Sequence, residues 1–498
     1  MRDDQAAAPD RPDRGPEPKG RARSPAAAAG AASAMPGAPM LRWILVVATL
    51  LHVVATPPFQ VADEDFHFYK AYQVSLGGIV SVAREGGLGY PLPEAVAALA
   101  QRRFPPQRTP SEPVVFDAGE VLAALRDSAA PGPSVFVSFP NMAPYAPSMY
   151  APQALGILLV REAGLPPLAM FYAGRLVNGL AGVGLILLAV ALMPFGRRAL
   201  LAVALLPMVP SLLGSLSADA TIIGLGFVGI ALAMRASSGL ALGRGEARLT
   251  PVAGALLALA KGVYLPILAA GIPDARLRLG ARQWLLLAAM VVGAGCFLAW
   301  VALGRGAEIQ YSIVSRRTLE QAVTARPGEQ LGVILAAPLG YAGVLASSFL
   351  ERLPVYALQA IGRFGWNTIL MPLPLYALAV LMLALAVVTV RRDEPLPRAW
   401  QRAWWILLAA GLAALVETAL YLTGTPLGAD HIQGTQGRYF LPFLPLLLLA
   451  LRVPALPPRA RVAAERAFPL LGLGLNLAAL FVILDAYWVS GVVRARGF

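Results

Sequence analysis

The stretch "LRWILVVATLLHVVATPPFQVADEDFHFYK", residues 41–70, shows what kind of chain this is. An apolar run ends at a Pro-Pro break, and Asp63, Glu64 and Asp65 follow in consecutive positions, with His67 two residues later. A membrane-spanning helix needs about 20 apolar residues, and this run reaches that length only with its flanks. A secretory signal is the alternative, but the long segment before the run and the many apolar runs after it favour an uncleaved first helix.

The composition indicates a membrane protein. Of its 498 residues, 57% are hydrophobic and only 14% are charged, and the mean hydropathy is +0.63. Soluble globular proteins carry about 25% charged residues, so this chain has too little charge to cover a water-exposed surface. We therefore predict an all-α polytopic membrane protein, with the lipid bilayer as a partner.

The charge pattern argues against nucleic acid as a partner. The net charge of +13 would suggest it in a soluble protein, but the arginines cluster between apolar runs, as they do in cytoplasmic loops. The single cysteine, Cys296, excludes an intramolecular disulfide and a cysteine-based metal site.

Three regions follow from the distribution of apolar residues. Residues 1–38 are rich in Ala, Pro, Arg and Gly, which predicts a disordered cytoplasmic tail. Residues 39–492 form the predicted transmembrane domain, and residues 58–148 are predicted to be its long, polar, extracytoplasmic first loop. Ten further apolar runs lie near residues 168–194, 199–216, 218–235, 250–272, 283–303, 334–350, 369–390, 403–423, 439–453 and 467–490. Together with the first helix they predict about eleven spans.

Orientation follows from the arginine-rich segments, which are typical of the cytoplasmic side. All the arginine-rich segments fall on the cytoplasmic side only if two runs do not cross the membrane once each. Run 250–272 must be a hairpin of two short helices, and run 334–350 must be re-entrant or interfacial. The same orientation brings the polar residues suited to chemistry to the outer face. These are the acids and His67 after the first helix, Asp219, Lys261, the segment "GRFGWNT" at 362–368 and the segment "GADHIQGTQGRYFLP" at 428–442.

The acidic triplet has two interpretations. Acids in a first helical turn favour the helix dipole, so the triplet could simply start a helix after Pro57 and Pro58. However, a helix would place Asp63 and His67 on one face at i, i+4. A carboxylate beside an imidazole at the membrane surface is suited to a general base or to a metal site on Asp63 and Glu64.

Three later residues carry comparable alternatives. Asp219 is either a first-turn helix acid or a functional acid at a membrane boundary. Lys261 interrupts an apolar run and either snorkels to the interface or binds phosphate. Arg438 lies at an outer helix end, against the positive-inside trend, so it is a candidate for binding an anion together with His431; a charge pair with Asp430 or Asp485 is its alternative.

Trp366 and Asn367 are suited to stacking on a sugar and hydrogen-bonding to it, although aromatic residues are also common at membrane interfaces. The sequence has no phosphate-binding loop, dinucleotide fingerprint, HExxH motif or GxSxG motif in a strand–turn–helix context. Donor nucleotides and ATP are therefore not expected as ligands.

Five motifs in order, "ADEDFHFYKAYQ", "SADA", "KGVYLP", "GRFGWNT" and "QGRYFLPFLPL", resemble an uncharacterised family of bacterial membrane proteins, domain of unknown function 2142. The resemblance extends from about residue 42 to residue 490. The family in turn resembles the GT-C superfamily of glycosyltransferases, which have many spans, an acidic motif in the first outer loop and a lipid-phosphate-linked sugar donor. The resemblance thus implies a GT-C-like bundle.

The resemblance also implies roles for single residues. The family's Asp-Glu pair and following histidine match Asp63, Glu64 and His67, which makes Asp63 the first candidate for catalytic base and Glu64 the second. The family's flanking prolines are replaced by Ala62 and Asp65, which loosens the turn and leaves the identity of the base open. Its second acid matches Asp219, and its arginine before an aromatic residue matches Arg438, where a donor phosphate would lie.

The implied function is transfer of a sugar, with inversion, from a polyprenyl-phosphate donor to a hydroxyl acceptor of a cell-surface glycan. It would take place at the outer face of the cytoplasmic membrane, with a divalent cation, Mg or Mn, as the candidate cofactor. Two alternatives stay open: a flippase or transporter of lipid-linked glycans, and a glycan polymerase or ligase.

Overall fold

The computed structural model of the protein describes residues 37–84, 87–108, 114–128, 130, 132–238, 242–272, 279–318, 327–390 and 394–491. The predicted disordered tail lies almost wholly outside these ranges, so it stays a prediction.

The described chain is mainly helical. Its α-helices are α1 Ala38–Ala55, α2 Glu64–Ser75, α3 Glu94–Ala98, α4 Ala118–Ala124, α5 Ala151–Glu162, α6 Pro167–Leu192, α7 Arg197–Ala204, α8 Met208–Leu213, α9 Asp219–Ser237, α10 Arg244–Ala260, α11 Ala281–Thr318, α12 Pro327–Ala336, α13 Pro338–Gly362, α14 Leu373–Val388, α15 Ala399–Gly424, α16 Leu444–Leu451 and α17 Pro458–Leu484. Short 3₁₀ helices cover Pro147–Tyr150, Gly262–Gly271 and Gly437–Phe440, and π-helical turns cover Leu99–Arg103 and Asp485–Val489.

Among the described residues, six helical segments are long and apolar enough to cross a membrane. They are Ala38–Ala55, Pro167–Leu192, Asp219–Ser237, Ala281–Arg305, Ala399–Gly424 and Pro458–Val489. A seventh is added if α12 and α13, which meet at a bend of 109°, are counted as one broken span. The polytopic helical class is therefore supported, whereas eleven spans are not confirmed.

The difference arises because an apolar run can be buried in the protein without spanning the bilayer as one helix. The run at 199–216 forms the short helices α7 and α8, separated at Leu205–Pro207, and nearly every side chain in it is buried. The run at 439–453 yields only the eight-residue helix α16 after a 3₁₀ turn. The run at 250–272 changes from α10 into a 3₁₀ helix at Lys261, which fits the predicted pair of short helices.

The described residues within 58–148, the predicted first loop, form regular secondary structure that includes a few strands, in a chain that is otherwise mainly helical. They contain α2 and an antiparallel sheet of three strands, β1 Val82–Arg84, β2 Gly87–Pro93 and β3 Ser134–Ser138. Pro91 and Pro93 lie where β2 extends beyond β1 and pairs only with β3, so their missing N–H groups cost no ladder bond. At Gly89 a Cβ would lie 1.9 Å from the Val137 carbonyl oxygen, so only glycine fits.

Helix α9 is the central element of the helical bundle. In its apolar window 89% of the residues are buried, against 17% for α11. It packs against α6, α10 and the 3₁₀ helix Gly262–Gly271, while α6 also contacts α1 and α5. Because α9 starts at Asp219, this packing places a carboxylate at the end of the most buried of the candidate spans.

A short hairpin completes the surroundings of this end of the bundle. Strands β4 Arg363–Phe364 and β5 Ile369–Leu370 pair after α13, with Arg363 opposite Leu370. Gly365 and Asn367 in its turn both have positive φ angles, of 62° and 61°.

Candidate functional site

Asp63 precedes the first residue of α2 but does not act as a conventional helix cap. Its backbone is left-handed, with φ of 61°, and its carboxylate makes no capping hydrogen bond. Such a conformation is uncommon for a residue with a side chain, and it is often found at functional sites. Its Oδ2 lies 3.5 Å from Nη2 of Arg438, and 22% of the side chain is exposed.

Arg438 lies between two carboxylates. Its Nε is 3.4 Å from Oδ2 of Asp219, in addition to the contact with Asp63. Burial alone would lower the pKa of Arg438, but the carboxylates of Asp219 and Asp63 raise it overall, so the guanidinium stays charged. The alternative that Arg438 pairs with Asp430 or Asp485 is therefore wrong, because its carboxylate partners come from α9 and the start of α2.

Local packing explains how Arg438 reaches this position. A Cβ on Gly437 would lie 1.9 Å from the Tyr356 carbonyl oxygen, so glycine lets this turn lie directly on α13. The Gly437 N–H donates to the Gln359 side chain at 2.8 Å. The turn is thus fastened to α13 at the residue before the arginine.

His67 lies on the same face of α2, one turn after Asp63. It is buried, and its Nδ1 is 2.8 Å from the Tyr150 hydroxyl. Burial lowers the pKa of His67 to about 4, although the carboxylates of Asp63 and Asp219 oppose the shift. The imidazole is therefore neutral at neutral pH, and it serves as a hydrogen-bonding partner rather than as a cation.

Lys261 approaches the cluster from the end of α10. Its ammonium lies 4.2 Å from the ring centre of Tyr439 and 5.6 Å from that of Tyr145. In the part of the chain that the structure describes, no carboxylate lies within 4 Å of it. Lys261 and Arg438 both act electrostatically on His67, as do Asp63 and Asp219, so the two cations and the two acids influence the same imidazole.

Glu64 is placed differently from Asp63. Its side chain is fully buried, and both carboxylate oxygens accept hydrogen bonds from Arg175, at 2.8 and 2.6 Å. Arg175 also donates to the backbone carbonyls of Val53, Thr56 and Pro57 at the end of α1. A carboxylate engaged in this way is suited to holding α1, α2 and α6 together.

The network continues to the segment before Asp219. Glu64 Oε1 accepts from the Leu216 N–H at 3.1 Å. Asn178, one turn after Arg175 on α6, donates to the carbonyls of Ser215 and Ser217 at 2.7 and 3.0 Å. One face of α6 thus binds both the segment that contains Glu64 and the segment before Asp219. The sequence analysis did not predict this role of α6. The available signal was an arginine and an asparagine inside an apolar run, which is unusual in a span.

The remaining predicted residues lie around this cluster or apart from it. One face of Trp366 is covered by the Arg108 guanidinium at 4.7 Å, so that face is not free for a sugar. Asn367 lines the same narrow cleft as Arg438. His431 is exposed and paired with Asp430 at 2.8 Å, and its described contacts do not reach Arg438.

A divalent cation on Asp63 and Glu64 does not fit this geometry. Both carboxylate oxygens of Glu64 already accept hydrogen bonds from Arg175, and the carboxylate of Asp63 faces the guanidinium of Arg438. Within the described ranges, no three histidine, cysteine or acidic residues converge as metal ligands.

Comparison with known proteins gives one family. No curated protein and no solved structure shows significant similarity to the chain. One family model, described as "Predicted membrane protein (DUF2142)", matches residues 46–447, a range that includes Asp63, Asp219, Lys261 and Arg438. Because this match covers most of the sequence, the chain belongs to the DUF2142 family of membrane proteins.

Proposed function

We propose that this protein is an inverting, GT-C-like glycosyltransferase that moves a sugar from a polyprenyl-phosphate donor to a hydroxyl acceptor, a cell-surface glycan. The observation that carries the proposal is the cluster of Asp63, Asp219 and Arg438, with Lys261 beside it. Four separate parts of the sequence supply these groups, and they meet at the ends of helices, where a lipid-linked phosphate and a water-soluble acceptor can both arrive.

Asp63 is the proposed general base. It is partly exposed, whereas Glu64 is fully buried and hydrogen-bonded on both oxygens. A base must reach the proton that it removes, so the burial of Glu64 favours Asp63 over the second candidate. In this proposal Glu64 positions Asp63 through its ion pair with Arg175.

Arg438 and Lys261 are the proposed phosphate ligands. The contacts of Arg438 with its two carboxylates, at 3.4 and 3.5 Å, are longer than the 2.7–2.9 Å of a strong charge-assisted hydrogen bond. A phosphate oxygen can therefore compete for the guanidinium. Lys261, which faces aromatic rings, has N–H groups to offer to the same phosphate.

The proposed reaction is a single displacement. Asp63 takes the proton of the acceptor hydroxyl while the acceptor oxygen forms a bond to the anomeric carbon. The bond from that carbon to the phosphate oxygen breaks on the opposite face, and the phosphate leaves with the electron pair. Arg438 and Lys261 offset the charge that develops on the leaving group.

The cleft beside Arg438 limits how the donor can enter. It is lined by Asn367, Gln436, Gln359 and Arg438, and in this structure it admits a water molecule rather than a sugar ring. Donor binding must therefore widen it. The β4–β5 hairpin, which provides Asn367, forms one wall of this cleft.

The test is Asp63→Asn, assayed as sugar transfer from a polyprenyl-phosphate donor in purified membranes. Asparagine tolerates a positive φ angle about as well as aspartate, so folding should be retained, but it cannot accept the proton. We expect turnover to fall roughly a hundredfold or more.

The matched control is Asp65→Asn, because Asp65 pairs with Arg108 instead of Arg438. If Glu64→Gln is inactive while Asp63→Asn turns over normally, the base is Glu64. A deletion strain that accumulates complete lipid-linked glycans, instead of lacking one sugar, would favour a transporter and refute the proposal.

A further inference from the structure

A second cavity, of about 170 Å³, lies between α11 and the region that contains the β-sheet. Its walls are mostly apolar, with Leu88 on the sheet side and Phe297, Trp300 and Val301 on α11. The Trp300 indole N–H donates to the Pro144 carbonyl at 2.7 Å and holds the two sides together. The cavity shares no lining residue with the cleft beside Arg438.

The polar part of the cavity wall is backed by a buried cation. Ser81 and Ala143 line the cavity, and the Lys70 ammonium lies behind them, 3.2 Å from the Ser81 hydroxyl and 3.1 Å from the Ala143 carbonyl. Its third partner, the Gln73 side-chain oxygen, is 3.5 Å away. All three partners are neutral.

Lys70 lacks a countercharge among the described residues. Its side chain is fully buried, and no carboxylate of the described chain lies within 4 Å of it. Burial lowers the pKa of Lys70 to about 8, so most molecules still carry the charge at neutral pH. A buried charge without a countercharge is costly even when its hydrogen bonds are made to neutral groups, which makes the wall at Ser81 attractive to an anion.

The surroundings of the cavity indicate what kind of anion fits. Helix α11 includes a candidate span with few buried residues, so its outer surface is available to lipid. The cavity walls at Phe297 and Val301 belong to that same helix. A volume near 170 Å³ is similar to that of apolar cavities that bind benzene, which is enough for a short part of a hydrocarbon chain.

We propose that this cavity is a binding site for an anionic phospholipid of the bilayer, with the head group at Ser81 in front of Lys70 and the start of one acyl chain against Phe297, Trp300 and Val301. The proposal does not depend on glycosyl transfer. It assigns to the region of the β-sheet a contact with the membrane lipid itself, separate from the Asp63–Arg438 cluster.

The experiment measures quenching of Trp300 by lipids brominated near the head-group end of the chain. Purified full-length protein in detergent micelles is titrated with brominated phosphatidylglycerol, which is anionic, or with brominated phosphatidylcholine, which is zwitterionic. The Trp300 signal is the difference between the wild-type protein and Trp300→Phe. We expect half-saturation at a severalfold lower concentration of the anionic lipid.

Three variants test the assignment. Lys70→Met removes the charge at similar size and should abolish the preference for the anionic lipid. Val301→Phe fills the cavity and should weaken quenching by both lipids, whereas Val291→Phe, on an exposed part of the same helix, should behave as the wild type.

Equal half-saturation for the two lipids in the wild-type protein would overturn the proposal, as would a preference that survives Lys70→Met. If Lys70→Met does not fold, the pair of valine variants still decides whether the cavity is the site. Asp63→Asn should bind the lipids unchanged, so this result is independent of the proposed transfer reaction.

Discussion

Replacing Arg175 by methionine should destabilise the protein far more than replacing an equally close but exposed arginine. Arg175 and Glu64 are both fully buried, and their shorter contact is 2.6 Å. Removing the arginine leaves a buried carboxylate without its partner, which costs about 3–5 kcal/mol. It also leaves three backbone carbonyls at the end of α1 without their donor, so the free energy of unfolding should fall by at least the lower figure.

The comparison is with the surface pair Arg102–Glu94, whose contact is 2.7 Å but whose side chains are 66% and 42% exposed. Exposed pairs contribute about 0–1 kcal/mol, so Arg102→Met should have little effect. Burial, rather than distance, separates the two variants.

A double variant tests the reasoning further. Glu64→Leu combined with Arg175→Met removes both charges, and apolar replacement of a whole buried pair is often neutral. It should therefore be more stable than Arg175→Met alone, although the carbonyls of α1 remain unpaired.

The assay is denaturant-induced unfolding of purified protein in detergent micelles, followed by circular dichroism. The reasoning is refuted if Arg175→Met and Arg102→Met lose the same free energy of unfolding, or if the double variant is no more stable than Arg175→Met.

Three further predictions concern the site and the topology. Asn178→Leu should lower the turnover number of sugar transfer about tenfold or more, with little change in donor KM. The control is Asn476→Leu, which removes a similarly buried asparagine bonded to the Leu205 carbonyl and should leave the turnover number unchanged. Equal effects of the two variants would show that Asn178 has a purely structural role. The pKa of His67 is about 4 when folded against 6.5 for the free side chain, so acidification from pH 6.5 to 4 should cost roughly 3 kcal/mol of stability. His67→Gln should remove that loss, and an unchanged pH dependence would contradict it. A cysteine at Ser134 in a Cys296→Ala background should react with membrane-impermeant reagents added from outside whole cells, and labelling by permeant reagents alone would reverse the predicted orientation.

The membrane class was predictable because composition and long apolar runs indicate it, and both can be read from the sequence without knowing how the helices pack. The contacts of Arg438 with Asp63 and Asp219 agree with the predicted convergence of polar residues on one side, although the eleven spans from which we predicted it are not confirmed. Nothing in the local sequence of these three residues specifies a contact between them.

The number of spans was not predictable, because hydropathy does not distinguish a lipid-facing helix from a buried one. Residues 199–216 are almost all buried in the protein, and they form two short helices instead of one long helix. The sheet in residues 58–148 was missed since β2 carries two prolines, which usually argue against a strand.

The difference between Asp63 and Glu64 was also beyond the sequence. The two residues are adjacent, yet one is partly exposed and the other fully buried, because the left-handed backbone at Asp63 directs them to different surroundings. The partner of Glu64 lies 111 positions away on α6, and such a pairing depends on how helices rotate against each other.

The position of Arg175 has a consequence for how the chain is made. Arginine near the middle of a span is penalised during membrane insertion by about 2.5–3.5 kcal/mol, and Arg175 lies in the first half of α6. Its partners, Glu64 and the end of α1, precede it in the chain, so they leave the ribosome before α6 does. The early segments can therefore receive the arginine as it enters the bilayer, whereas a chain synthesised without them would present α6 to the insertion machinery with an uncompensated charge.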